Sequence, residues 1–170
     1  MFGDWIKAVL MRDLRCLKRQ IESYTDEADL WKTPPGTTNS TGNLTMHLIG
    51  NIRHFIGAQL GHSSYKRDRD AEFSSRNVPR EELLKGLDMA IIGVEHTLPT
   101  LTDEDYAKPY GLKIGDATIT TGDFMVHLVS HLAYHLGQID SQRRTITGEA
   151  GKMSAVSPLE LSTATRAVEA

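Results

Sequence analysis

Residues 121–139 read TGDFMVHLVSHLAYHLGQI, and three of the chain's seven histidines fall in this stretch, at 127, 131 and 135. A spacing of four stacks side chains on one face only if the segment is α-helical. The residues agree with a helix: Thr121 is placed to cap it, Asp123 suits its positive end, and no proline interrupts the run. At about 100° per residue, Phe124, Leu128, Leu132 and Ile139 share one stripe, with His131 and His135 inside it. His127 falls at the edge of that stripe, beside Tyr134 and Gln138. Two imidazoles, one turn apart, are therefore carried toward whatever this helix packs against.

An imidazole on an apolar face costs free energy unless its ring nitrogens find partners. A single buried histidine usually bonds to a neighbour and does nothing else. A pair at i and i+4 has a second use, because this is how a helix offers two ligands to one metal ion. Such a site needs a third ligand from elsewhere in the chain.

Upstream, three further stretches carry the helical period. From about residue 4 to residue 28, Leu10, Leu14, Leu17, Ile21 and Tyr24 repeat at alternating four and three, a bundle-type stripe. Trp31 is placed to close the core near the helix end, and Pro34, Pro35 and Gly36 break the chain. Asn43 is a candidate N-cap for a second helix reaching about residue 60, with Leu44, Leu48, Ile52 and Phe55 on its apolar face. His47 and His54 both border that face and differ by only about 20° on an ideal helix, so periodicity does not choose between them. Pro79 suits the first position of a third helix, whose stripe is Leu84, Leu87, Ile91, Val94, Leu98 and Leu101. His96 falls off that stripe and reads as solvated.

Two long connections separate these helices. Residues 61–78 have no convincing period, and their alternating Arg67, Asp68, Arg69 and Asp70 are either a solvated face or a grip for carboxylates or a second subunit. Residues 111–120, GLKIGDATIT, alternate weakly and are read as a short strand pair. Gly148 is a natural stop for the histidine helix, and residues 149–170 are expected to be an irregular tail after a domain spanning 1–148. Four periodic helices with two long connections give an all-α four-helix bundle rather than an α/β fold.

The composition narrows the function. With 170 residues, 39% of them hydrophobic and 24% charged, the chain suits one soluble domain with a substantial core. A net charge of −3 leaves no electrostatic footprint for nucleic acid. No run approaches the roughly 18–20 apolar residues that span a bilayer. Asp4, Lys7 and Arg12 break up any secretory leader. The lone Cys16 rules out an internal disulfide and fits a reducing cytoplasm, and within a helical pattern it reads as a buried structural thiol.

The H-x3-H at His131 and His135 continues into Gly137 and Gln138, and an upstream histidine lies on the second helix. With NLTMHLIGNIRHFIGAQLG (43–61), YKRDRDAEF (65–73) and SHLAYHLGQIDSQRR (130–144), the pattern resembles the DinB-like superfamily over most of the chain. That resemblance implies a bundle with long crossover connections, often a homodimer. It also implies a divalent metal on His47, His131 and His135, which selects His47 over His54. It gives His127 no metal role, leaving it as a group near the substrate or a partner for Gln138 or Tyr134.

Three imidazoles leave coordination positions open and accept zinc, nickel or ferrous iron alike. Relatives use such a centre to activate a low-molecular-weight thiol, as S-transferases or a thiol-dependent isomerase. By that resemblance this chain is expected to act on a small-molecule substrate, with Arg67 or Arg69 holding carboxylates. The alternatives are metal-dependent hydrolysis, for which Glu72 and Asp140 are candidate bases, and a non-catalytic dimeric metal-binding stress protein.

Overall fold

The computed structural model describes residues 1–113, 115–150 and 156–165. Its first helix, α1, spans Phe2–Glu22, and the spacing of Leu10, Leu14, Leu17 and Ile21 puts all four fully inside. It stops six residues short of the expected end. Glu27–Trp31 form a separate 3₁₀ turn, capped where the Ala28 N–H donates to Asp26 Oδ1 at 2.9 Å. The Trp31 indole lies over Gly42, where a Cβ would stand 2.9 Å from the ring.

Helix α2 spans Thr41–Ile52, and its cap is Ser40 rather than Asn43. Ser40 has the extended backbone a cap requires, and its Oγ accepts from the Asn43 N–H at 3.2 Å. Asn43, buried inside the first turn, instead donates its side-chain amide to the carbonyls of Glu72 and Ser75, each at 3.0 Å. Beyond Ile52 the chain widens into a π-helical segment, Arg53–Ala58, in which Gln59 N–H reaches His54 O at 3.0 Å, a five-residue step.

The aperiodic 61–78 connection contains a short helix, α3, at Arg69–Ser74, capped by Asp68. Helix α4 follows at Arg80–Thr97, directly after Pro79. Its buried line is Leu83, Leu87, Ala90 and Val94, continuing to Leu98; Leu84 and Ile91 pack on the flank of that line rather than at its centre. His96 is exposed, as its place off the stripe predicts. Helix α5, Asp103–Ala107, is set by a reciprocal capping box between Thr102 and Asp105.

The strand pair expected in 111–120 does not form: one isolated bridge joins Pro109 to Thr120, and no strand occurs among the described residues. Two backbone bonds, Tyr110 N–H to Ile119 O at 2.8 Å and Thr121 N–H to Lys108 O at 2.9 Å, close the loop at its base. Only the base pairs, because Gly111 and Gly115 weaken a strand and few apolar residues give one a face to bury. Ile114, within that run, lies outside the described residues.

Helix α6 spans Thr121–Thr147 and ends at Gly148 with φ 71°, the left-handed stop expected there. Its cap is Thr120, whose hydroxyl accepts from Asp123 N–H at 3.2 Å; Thr121 begins the helix and donates to Lys108 O at 3.3 Å. Of the tail, residues 151–155 and 166–170 lie outside the described residues, and Pro158–Glu160 form a 3₁₀ turn against α1.

The four long helices form an all-α bundle in which α1 packs against α4 and α6, and α2 packs against the same pair. Helices α2 and α6 are thus neighbours, and their shared seam holds the histidines. Among the described residues no helix is long and apolar enough to cross a membrane.

Candidate metal centre

His47 from α2 meets His131 and His135 from α6, with one ligand nitrogen from each lying within 4.8 Å of the others. The closest approach is His47 Nε2 to His131 Nε2, at 3.2 Å. Phe124, Leu128, Leu132, Leu136 and Ile139 anchor α6 in the core, and the two histidines sit at the edge of that buried face, half-exposed. This edge placement leaves the cluster accessible from one side. His54 is left out and packs against Phe55 instead. Seven residues of helix rise about 10.5 Å, so His47 and His54 could not both reach one centre on α6.

The far side of each ring shows how the cluster is oriented. His47 Nδ1 lies 2.9 Å from Glu72 Oε2. A carboxylate there accepts, so Nδ1 carries the proton and Nε2 presents its lone pair. Arg67 closes on the same carboxylate with both arms, Nε to Oε1 at 2.7 Å and Nη2 to Oε2 at 2.8 Å. The His47, Glu72 and Arg67 side chains are 8%, 5% and 11% exposed, so this pair is little screened. Burial alone would raise the Glu72 carboxyl, but its bonds to Arg67 and His47 outweigh that and hold it below the usual range.

Glu72 reaches His47 only because residue 50 is glycine: a Cβ at Gly50 would overlap Glu72 Oε1. The Asn43 amide pins the α3 turn from the other end by holding the Glu72 and Ser75 carbonyls.

His135 Nδ1 is 2.7 Å from Gln138 Oε1, and the Gln138 amide donates to the Tyr134 hydroxyl at 3.3 Å. That bond fixes the proton on Nδ1 and turns the Nε2 lone pair inward. Burial, then the nearby cationic forms of the other histidines and of Arg67, push His131 down to about 4; burial also lowers His135. Both rings are therefore neutral at pH 7, the form that ligates a metal. Nδ1 of His131 is buried and meets no partner among the described residues.

Three imidazoles, two of them held by hydrogen bonds at Nδ1, form a donor set that could hold a divalent ion. Beside them a cleft of about 620 Å³ opens between α6 and the 36–39 loop, reaching His135, Gln138 and Tyr134 on one wall and Thr37, Thr38 and Asn39 on the other. Among the described residues, His135 is its one imidazole, and no Asp, Glu, Lys or Arg lines it.

The other candidate residues stay out of the cleft. Arg67 is locked in its ion pair, 5.5 Å from the Phe55 ring, and Arg69 is exposed over Phe73; neither lines the cleft. His127 is exposed one turn before His131, its ring stacked on Phe124, and Gln138 pairs with His135 rather than with it. Asp140 is bonded to Gln20, Arg143 and Arg144.

Two partnerships at the site were missed in the sequence, and only one of them left a signal there. Glu72 lies in an aperiodic loop, and nothing in its spacing marks it as the acceptor for His47. Gln138, three residues after His135 on one helix face, is marked as its partner by spacing alone.

No curated protein matches the chain in sequence. The family model of the DinB superfamily matches residues 15–139, a span that runs from α1 to the Gln138–Ile139 turn of α6 and includes all three clustered histidines. The chain belongs to the DinB superfamily.

Proposed function

We propose that this protein is a divalent-metal enzyme that activates a small thiol, acting as an S-transferase or a thiol-dependent isomerase, with His47, His131 and His135 as the metal ligands. The observation that carries this reading is the convergence of one ligand nitrogen from each of three histidines, within 4.8 Å of one another, beside an open cleft. Structural zinc is usually closed by a fourth protein ligand, whereas a three-imidazole centre keeps positions for small molecules. A divalent ion held there would lower the pKa of a thiol or water that reached it.

The chain's own groups divide the remaining work. Glu72 and Arg67 fix the His47 ring and its tautomer, and Gln138 does the same for His135. Tyr134, Gln138 and the 37–39 loop offer hydroxyl and amide groups to the part of the substrate lying in the cleft.

A hydrolase is the weaker reading for a specific reason. Such an enzyme places a general base beside the attacking water. Glu72 sits behind His47 with both oxygens engaged, and no carboxylate among the described residues lines the cleft.

Cobalt substitution tests the proposal. A thiolate-to-cobalt charge-transfer band on adding a small thiol supports it, as does transfer of that thiol to an electrophile. A spectrum unmoved by thiols, with ester or amide turnover in their absence, makes the protein a hydrolase. Protein that takes up neither zinc, nickel, iron nor cobalt has no such centre.

A further inference from the structure

A second concavity, of about 500 Å³, lies outside the histidine cluster, between α4, the π-helical segment and residues 63–66. Its wall carries the cations Arg53 and Lys66 and the hydroxyls of Ser63 and Ser64, while Met89 and Ile92 offer it apolar surface at 44% exposure each. Among the described residues no Asp or Glu lines it, and neither cation forms an ion pair. Arg53 instead places its guanidinium carbon over the Tyr65 ring, 4.0 Å from the centroid.

The backbone is shaped around this space. The π-helical turn brings Gly57 against Gly93 of α4, where a Cβ on Gly93 would stand 3.7 Å from the Gly57 Cα. The chain then reverses through His62, at φ 54°, a left-handed conformation unfavourable for a residue with a Cβ. That reversal turns residues 63–66 back over the concavity. A widened helix turn and a strained non-glycine residue at the rim of one cavity are features that gather at binding sites.

We propose that this concavity binds a small amphipathic anion: a carboxylate or phosphate head on Lys66, Arg53 and the serine hydroxyls, with a short apolar body on Met89 and Ile92. Guanidinium and ammonium donors supply charge-assisted bonds to such a head, and burying the two exposed side chains supplies the apolar gain. The site is distinct from the metal centre, although residues 63–66 lead directly into Arg67 behind His47.

Octanoate is the probe, titrated into the full chain by calorimetry and followed by the methyl resonances of Met89 and Ile92. The His131→Ala variant serves as a second host, because a carboxylate can also ligate a metal. Octanoate is expected to bind both hosts equally and shift both methyls, and octanol to bind less tightly. Lys66→Glu, at an exposed position, is expected to weaken octanoate by about tenfold or more, the size of one charge-assisted bond lost. Binding that disappears in His131→Ala would place the carboxylate on the metal and overturn the proposal. So would affinity unchanged in Lys66→Glu, or no binding to either host. None of these results depends on thiol chemistry.

Discussion

The Nδ1 of His47 and the Oε2 of Glu72 stand 2.9 Å apart, although 25 residues of chain separate them and Glu72 comes from a connection without periodicity. This contact fixes which nitrogen of the ring faces His131, and Arg67 fixes the carboxylate in turn. Glu72→Gln keeps the size of the side chain but removes the charge. It is expected to weaken metal binding by about 10- to 100-fold, the usual cost of losing a partner behind a ligand. Competition against a chromophoric chelator measures this. Glu72→Ala should also destabilise the metal-free fold by about 3–5 kcal/mol, because Arg67 is left buried and unpaired.

The ligand assignment makes a sharper demand. Elemental mass spectrometry on untagged protein is expected to find about one metal per chain in the wild type and almost none in His131→Ala or His135→Ala, since a three-ligand centre holds tightly only with its full set. The fold should survive, because the bundle has a large apolar core of its own. His54→Ala should leave metal content unchanged; loss of metal there would transfer the third ligand from residue 47 to residue 54.

Two glycines should respond in opposite directions. Gly50→Ala gains about 1 kcal/mol of helix propensity but costs about 1–3 kcal/mol of overpacking against Glu72, so it should destabilise and also loosen the metal. At Gly137 a Cβ would meet nothing within 4 Å, so alanine there should stabilise by about 0.5–1 kcal/mol. Urea unfolding of the two variants decides it.

Acid should weaken the metal-free protein. His131 takes up a proton near 6.5 when unfolded but only near about 4 in the fold. Between these values the unfolded chain binds more protons, so stability falls as pH drops through that window. His135 is shifted the same way and adds to the slope. Glu72, held below its ordinary value, contributes stability that disappears once the pH falls through its own folded value. Urea midpoints at pH 7 and pH 5 should differ more in the wild type than in His131→Ala. A wild-type midpoint that does not fall over this interval would show that the histidines are not desolvated as described.

The parts of the fold legible in the sequence are those governed by local period. The stripes of α1 and α6 bury the residues that spacing selects, and Gly148 stops α6 where its φ permits. Caps were legible only to within a few residues. Ser40 and Asn43 can both cap, and the choice was made by the carbonyls of Glu72 and Ser75, which no local pattern contains. The π-helical segment was illegible because its apolar residues fit an α-helix equally well. At the site, the spacing on α6 picked out His131 and His135, two of the three clustered histidines, and Gln138 was within reach of the same rule. Spacing alone did not separate His47 from His54, and the partnership of Glu72 with His47 depends on how a loop folds over α2.

The separation of the three histidines along the chain also orders events during synthesis. His47 leaves the ribosome 84 residues ahead of His131, and alone it is one imidazole with nothing to share. His131 and His135 emerge together within one turn of the last long helix. The cluster can therefore form only once α6 has been made and has docked against α2. The nascent protein passes through most of its translation without the three-histidine cluster, so any metal held there would mark completed assembly rather than a step toward it.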